Sequence, residues 1–259
     1  MLRRWGIFLA MLTLTAGLTL AANSASAATA GFIPGGPVHL VGASQNVRGG
    51  LSHQAQSTNW SGYAATTGTY TSISASWVQP AGTCSRGDQY AAVWVGLDGY
   101  SSSSVEQTGS AVDCVGRTAQ YYAWYEMYPN ASVNYSSTVR AGDTFNASVT
   151  YQGNNTFSLF IQDVTQGWSH TTSASLAGAA RSSAEVIIEA PCCTSSGGVL
   201  PLADFGTVNI SGSTANGAAL GSAGGVTQII MIDNAGRDKD SVSALSGGEN
   251  FSATWLRSN

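Results

Sequence analysis

Short segments with β-strand composition recur along most of this chain, and no segment shows the apolar period of a helix. The segments are rich in Val, Ile, Thr, Tyr, Phe and Trp, and clusters of Gly, Asn, Ser and Asp separate them. About two hundred residues of this kind predict an all-β fold, a single-domain antiparallel β-sandwich. The predicted strands are Ser72–Val78, Tyr90–Leu97, Tyr121–Tyr128, Thr144–Tyr151, Thr156–Asp163, Ala184–Ala190, Gly206–Ile210, Thr227–Ile232 and Phe251–Leu256.

The N-terminus predicts export. Two arginines precede an apolar run from Gly6 to Ala22, and the small residues Ala25–Ala27 follow it, which is the pattern of a cleaved secretory signal peptide over residues 1–27. An uncleaved membrane anchor is the alternative, but three threonines weaken the apolar run. We therefore expect a secreted, extracellular protein that is not attached to a membrane after signal cleavage.

Residues 28–56 differ in composition from the rest of the chain. They are rich in Gly, Ala, Ser and Pro, contain no acidic residue, and carry Arg48, His39 and His53. We predict a propeptide or flexible leader, which at neutral pH could lie against an anionic domain and loosen as the carboxylates of that domain become protonated. The compact domain is predicted to span residues 57–259.

Charge excludes one class of partner. Charged residues make up 9% of the chain, against roughly 25% in an ordinary soluble domain. From Ser57 onward seven Arg and Lys face fourteen Asp and Glu, and Lys239 is the one lysine. Nucleic-acid binding needs clustered cations, so it is excluded. Few cations also leave few ion pairs for acid to break, which suits a protein that works at low pH.

Four cysteines in an exported chain predict disulfides. Cys84 and Cys114 flank one predicted strand and its hairpin, so we predict that they pair. Cys192 and Cys193 would form the second bridge as an adjacent pair, or exchange with the first two, and the connectivity stays open. The spacing is not that of a metal site and the histidines are scattered, so no metal and no cofactor are expected.

Strand alternation assigns side chains to faces. In the segment from Ala184 to Glu189, alternate residues would face a core, which puts Glu185, Ile187 and Glu189 on the opposite, accessible surface. Trp94, Gly96 and Asp98 likewise share one face and suit a binding floor.

Glu106 and Gln107 are adjacent in the chain and must point in opposite directions in a strand. Only one of them can therefore join the floor that Trp94 forms.

Several hydrolase classes lack their nucleophile or base. His170 is the one histidine after the predicted leader, and it lies in a segment that reads as a turn after a strand, so a serine triad is disfavoured. Export favours pairing of the cysteines, which argues against a thiol nucleophile. Carboxylate chemistry remains.

Five motifs occur in an order that resembles the glutamic peptidases, or eqolisins, and the resemblance runs from Asn59 to the C-terminus. The motifs are Asn-Trp-Ser-Gly-Tyr from Asn59, Trp-Val-Gly-Leu-Asp-Gly from Trp94, Gln-Thr-Gly from Gln107, Ala-Trp-Tyr-Glu-Met-Tyr-Pro from Ala123, and Ala-Glu-Val-Ile-Ile-Glu from Ala184.

The resemblance implies a sandwich of two curved sheets of the concanavalin A-like lectin/glucanase type, and secretion as a proenzyme. It implies hydrolysis of polypeptide substrates at acid pH by Gln107 and Glu189, with Glu185 as the rival of Glu189. Trp94, Asp98, Glu126 and Trp124 fall on substrate-binding positions, although sandwich core is an equal alternative for Trp124. We expect a monomer.

The residue types suggest a mechanism and an alternative. Glu189 can take a proton from a water molecule and pass it to the leaving amine, while the Gln107 amide stabilises the oxyanion. Whether Glu189 begins as acid or base stays open. A non-catalytic, glycan-binding, lectin-like sandwich is the alternative function, and a glycosidase is disfavoured because it needs two facing carboxylates.

Overall fold

The computed structural model describes residues 40–46, 53–191 and 198–259. The predicted signal peptide, most of the predicted leader, and Cys192 and Cys193 lie outside the described residues.

We call the first sheet the front sheet. Its neighbouring strands are, in spatial order, β1 (Leu40–Asn46), β2 (His53–Ser57), β15 (Val226–Met231), β3 (Trp60–Ala65), β12 (Ala184–Glu189), β5 (Gln89–Leu97), β6 (Val105–Val115), β7 (Thr118–Tyr128) and β8 (Val133–Asn134).

The second, or back, sheet contains β11 (Trp168–Ser175), β10 (Thr156–Asp163), β9 (Thr144–Gly153), β4 (Ser72–Val78), β13 (Thr207–Ala215), β17 (Phe251–Trp255) and β16 (Asp240–Val242) in spatial order. The short strand β14 (Ala218–Ala219) pairs with β13, and a 3₁₀ turn follows it at Leu220–Ser222. The prediction of an all-β sandwich is confirmed.

Strand pairing is antiparallel throughout the described residues except at one edge of the front sheet. There β2 runs parallel to β15, pairing Ala55 with Ile229, and β1 pairs antiparallel with β2. Both β1 and all but the last residue of β2 fall within the predicted leader. Part of that segment is therefore hydrogen-bonded into the front sheet in this chain.

The main core lies between the sheets and follows from strand alternation. In β10 each second residue is buried, and Phe157, Leu159 and Ile161 point inward. From the front sheet, Val93, Val95, Val186 and Ile188 join the same core.

The other face of the front sheet is also buried. A second apolar cluster covers it, formed by Trp60, Ala64, Ala92, Trp94, Val105, Ala111, Trp124, Ile187 and Ile229. Every residue of β3 and β12 is consequently buried. This second face carries the side chains that alternation predicted to lie opposite the core.

The list of predicted strands covers most of the long strands but lacks two that matter for the site. Strand β3 begins at Trp60 within a motif, and β6 reads Val-Glu-Gln-Thr-Gly-Ser, which is too polar to resemble a buried strand. The turn predicted around His170 was wrong in extent, because the turn ends at Gly167 and β11 begins at Trp168.

Covalent and ionic links are few. The predicted disulfide between Cys84 and Cys114 is confirmed. In the described part of the chain the one ion pair joins Arg237 to Asp233. None of its helices has the length and apolar character needed to cross a membrane.

Candidate active site

Glu189 ends β12 on the second face of the front sheet. Trp94 lies on the neighbouring strand β5, directly across from Ile187, and its indole Nε1 donates a hydrogen bond to Glu189 Oε2 at 2.9 Å. Both side chains have 0% exposed surface. The indole therefore holds the carboxylate in a single orientation.

Two glycines make room for the Trp94 indole. A Cβ atom at Gly96 would come within 2.9 Å of the Trp94 ring, and one at Gly109, the cross-strand partner of Trp94, would collide with the Trp94 Cβ. The space above Gly96, which the sequence assigned to a binding floor, is therefore occupied by the tryptophan ring. The glycines in these motifs are thus required by the position of Trp94.

Gln107 and Glu126 form a second polar contact on the same face. They are direct partners across β6 and β7, and Gln107 Nε2 donates a hydrogen bond to Glu126 Oε2 at 2.6 Å. Gln107 Oε1 is buried and has no hydrogen-bond partner among the described residues. An amide oxygen that can still accept hydrogen bonds is therefore available in the site.

The two contacts belong to one site. Burial and, after it, the negative charge of Glu189 raise the pKa of Glu126 to about 9, although the hydrogen bond from Gln107 opposes the shift. Since charge acts over short distances, the influence of Glu189 places it near Glu126. Two nearby carboxyl groups cannot both ionise easily, so this neighbour and burial both favour the protonated form of Glu126.

The predicted accessibility of Glu189 was wrong, because Glu189 and Gln107 both have 0% exposed surface. The aromatic cluster on this face surrounds them. Trp60 packs edge to face on Trp94, with 4.9 Å between ring centroids. The indole Nε1 atoms of Trp60 and Trp124 are buried without a hydrogen-bond partner in the described part of the chain.

Asp98 is not brought to Gln107 and Glu189. It follows the end of β5 with a positive φ of 73°, which interrupts the alternation used to place it on the floor. Its carboxylate accepts hydrogen bonds from the backbone N–H groups of Arg181 (2.6 Å) and Ser182 (2.9 Å), and from Ser102 Oγ (3.1 Å). In the structure Asp98 joins two loops, and its predicted role in substrate binding stays a prediction.

Glu106 and Glu185 lie near Asp98, and both are fully buried. Burial and, after it, the charge of Asp98 raise the pKa of Glu106 to about 8, although a hydrogen bond with Ser104 opposes the shift in part. Burial also raises the pKa of Glu185 well above its ordinary value. These acids form a second group of buried carboxyls.

Alternation predicted that Glu106 and Gln107 face opposite ways, and the structure decides which of them joins the floor. Its cross-strand partner Leu97 belongs to the main core, whereas Gln107 pairs with Gly96 and Glu126 on the other face. Gln107 is therefore the member of the pair that joins Trp94.

A model of the Peptidase A4 family matches residues 58–255. The chain belongs to the Peptidase A4 family. The resemblance to glutamic peptidases is confirmed, and this chain is a peptide hydrolase.

Two curated relatives and one solved structure resemble this peptidase. Aspergillopepsin-2 of Aspergillus niger is 26% identical over 233 residues, which cover 80% of each chain. Scytalidopepsin B of Scytalidium lignicola is 34% identical over 140 residues, which cover 51% of each chain. A structure of scytalido-glutamic peptidase with a transition state analog inhibitor matches with a TM-score of 0.67 and 26% identity, covering 77% of this chain and 98% of that one. These similarities support proteolysis over the glycan-binding alternative.

Sequence reasoning missed two features of this peptidase site. It quoted Trp60 within a motif but gave it no role, and its pairing with Glu189 joins two strands that are distant in the chain, so the sequence holds no local signal for it. It also assigned Glu126 to substrate binding and did not predict the hydrogen bond that Glu126 accepts from Gln107. Among the described residues, no group of three or more His, Cys, Asp or Glu side chains is arranged to hold a metal ion.

Proposed function

We propose that this peptidase is an acid endopeptidase whose catalytic pair is Glu189 and Gln107. The observation that supports the pair most strongly is their joint position on one buried face, where Trp94 orients the carboxylate of Glu189 and Gln107 Oε1 has no partner. An N–H donor stabilises an ionised carboxylate, so Glu189 is suited to begin the reaction as the base.

The reaction needs one water molecule and one carboxylate. Glu189 takes a proton from the water, whose oxygen forms a bond with the carbonyl carbon of the scissile peptide, and the carbonyl oxygen becomes an oxyanion. The second N–H of Gln107 Nε2 donates a hydrogen bond to this oxyanion, and Oε1 accepts one from the attacking water. Glu189 then delivers its proton to the peptide nitrogen, the C–N bond breaks, and Glu189 is again ionised.

A low working pH follows from the buried carboxyl groups. With Glu126 protonated, this side chain adds no negative charge beside Glu189. As pH rises, ionisation of the buried acids would place uncompensated charges in the interior, since the described residues hold one ion pair. The site is therefore matched to acid conditions.

Secretion, leader removal and a monomeric state are part of the proposal. The N-terminal pattern of residues 1–27 supports export. The composition of residues 28–56 supports removal of a leader, and the pairing of β2 with β15 means that removal would expose the β15 edge of the front sheet. N-terminal sequencing of the active secreted form tests this, and a mature chain that still begins at Ala28 would contradict it.

The Glu189→Gln variant tests the catalytic pair. It keeps the shape of the side chain but removes the group that transfers the proton, so casein hydrolysis between about pH 3 and 5 should be abolished while the unfolding transition is unchanged. Glu249→Gln is the matched control, because Glu249 lies just before β17 in the other sheet. Normal turnover by Glu189→Gln would refute the assignment.

A further inference from the structure

Glu126 makes a contact that substrate binding does not explain. Its side chain is 4% exposed, and Oε2 accepts the Gln107 Nε2 hydrogen bond at 2.6 Å. The two residues face each other directly across β6 and β7, so the sheet itself holds them together. This contact occupies one of the two N–H groups of the amide.

An amide in this position has two orientations related by a half turn of its terminal group. In one, Nε2 faces Glu126 and Oε1 is free to accept a hydrogen bond; in the other, the two atoms exchange places. Only the first leaves an acceptor for the attacking water together with a spare N–H for the oxyanion. The reaction therefore needs something that keeps Nε2 on the Glu126 side.

We propose that Glu126 is a positioning residue that acts as a neutral hydrogen-bond acceptor and holds the Gln107 amide in its productive orientation. The proposal rests on the assignment of Gln107 and Glu189 as the catalytic pair. Among the described groups, Glu189 is the charged side chain that acts on Glu126, and a neutral Glu126 avoids repulsion between them. The pKa of Glu126, about 9, keeps it protonated across the acid range. Its carbonyl oxygen accepts from Gln107 while its proton stays on the other oxygen.

Two substitutions separate this role from the alternatives. Glu126→Met removes the acceptor but keeps an unbranched side chain of similar length, so it leaves no large cavity. Glu126→Gln keeps a carbonyl acceptor and can never ionise. We expect Glu126→Met to lower kcat by roughly ten- to a hundredfold, because misplacement of a catalytic group has this effect. KM and the free energy of unfolding should change little, and Glu126→Gln should restore most of kcat with the wild-type pH profile.

Each other outcome overturns the proposal. Wild-type kcat in Glu126→Met would mean that the contact does not position Gln107. A Glu126→Gln variant as inactive as Glu126→Met, with a displaced pH profile, would mean that Glu126 itself transfers a proton. A rise in KM alone would make Glu126 a substrate contact. If Glu126→Met does not fold, the pH profile and kcat of Glu126→Gln decide between the same possibilities.

Glu189→Gln is measured in parallel to separate the two proposals. If that variant is active, the catalytic pair itself is refuted. If it is inactive while Glu126→Met keeps full activity, only the positioning role of Glu126 fails.

Discussion

The Glu106→Gln substitution should make this protein more stable at neutral pH while leaving its stability in acid unchanged. Glu106 lies on β6 next to Gln107, the proposed catalytic residue, but it points to the main core, where burial and the charge of Asp98 raise its pKa to about 8 from an ordinary 4.5. Glutamine has nearly the same shape and carries no charge at any pH. The substitution therefore removes the titration of one buried group and little else.

The sign and size follow from proton linkage. Between pH 4.5 and 8 the folded chain holds the Glu106 proton and the unfolded chain has released it, so the free energy of unfolding falls as pH rises. Each pH unit in this window is worth about 1.4 kcal/mol, so from pH 4.5 to 7 the loss is about 3 kcal/mol. That is a large part of the roughly 5–15 kcal/mol of a typical domain. Below the ordinary pKa the contribution is fully present.

Urea unfolding of wild type, Glu106→Gln and the control Glu249→Gln, which changes a half-buried turn residue, measures the effect at pH 4 and pH 7. The difference between the two pH values should shrink by about 3 kcal/mol in Glu106→Gln and stay at the wild-type value in the control. The buried acids Glu126, Glu185 and Asp240, whose pKa values are also raised, remain in all three proteins and contribute to the residual pH dependence. An equal pH dependence in wild type and Glu106→Gln would refute the reasoning.

Two further predictions concern Trp94 and the disulfide. Trp94→Phe keeps the ring packing but loses the hydrogen bond to Glu189. A hydrogen bond to a charged group contributes about 1.5–3 kcal/mol, so kcat should fall by roughly ten- to a hundredfold. An unchanged kcat would show that the bond does not orient the carboxylate. Replacing both Cys84 and Cys114 by Ser opens a loop with a sequence separation of 30. The free energy of unfolding should fall by about 3–4 kcal/mol, while kcat below the melting temperature should not change. An unchanged unfolding curve would contradict this prediction.

The sequence by itself was sufficient for the fold class, the strand faces and one part of the site. Alternation correctly separated Glu106 from Gln107, because neighbouring residues of a strand must face opposite ways. The contact between Gln107 and Glu126 was also within reach of the sequence. The two-residue turn that begins at Gly116, with φ of 61°, pairs Val115 with Thr118. Moving away from the turn by the same number of residues along each strand pairs Gln107 with Glu126.

Only the tertiary structure decided the rest. The bond between Trp94 and Glu189 joins strands that are distant in the chain, and no local turn sets their register. The burial of Glu189 depends on the second apolar cluster, which is drawn from six strands, so strand alternation could give its face but not its exposure. Asp98 does not lie on its expected face, because its own positive φ ends the strand alternation. Its position near Glu106 and Glu185 arises where three separate segments of the chain meet. Periodicity describes single strands, whereas exposure and charge coupling depend on which strands become neighbours.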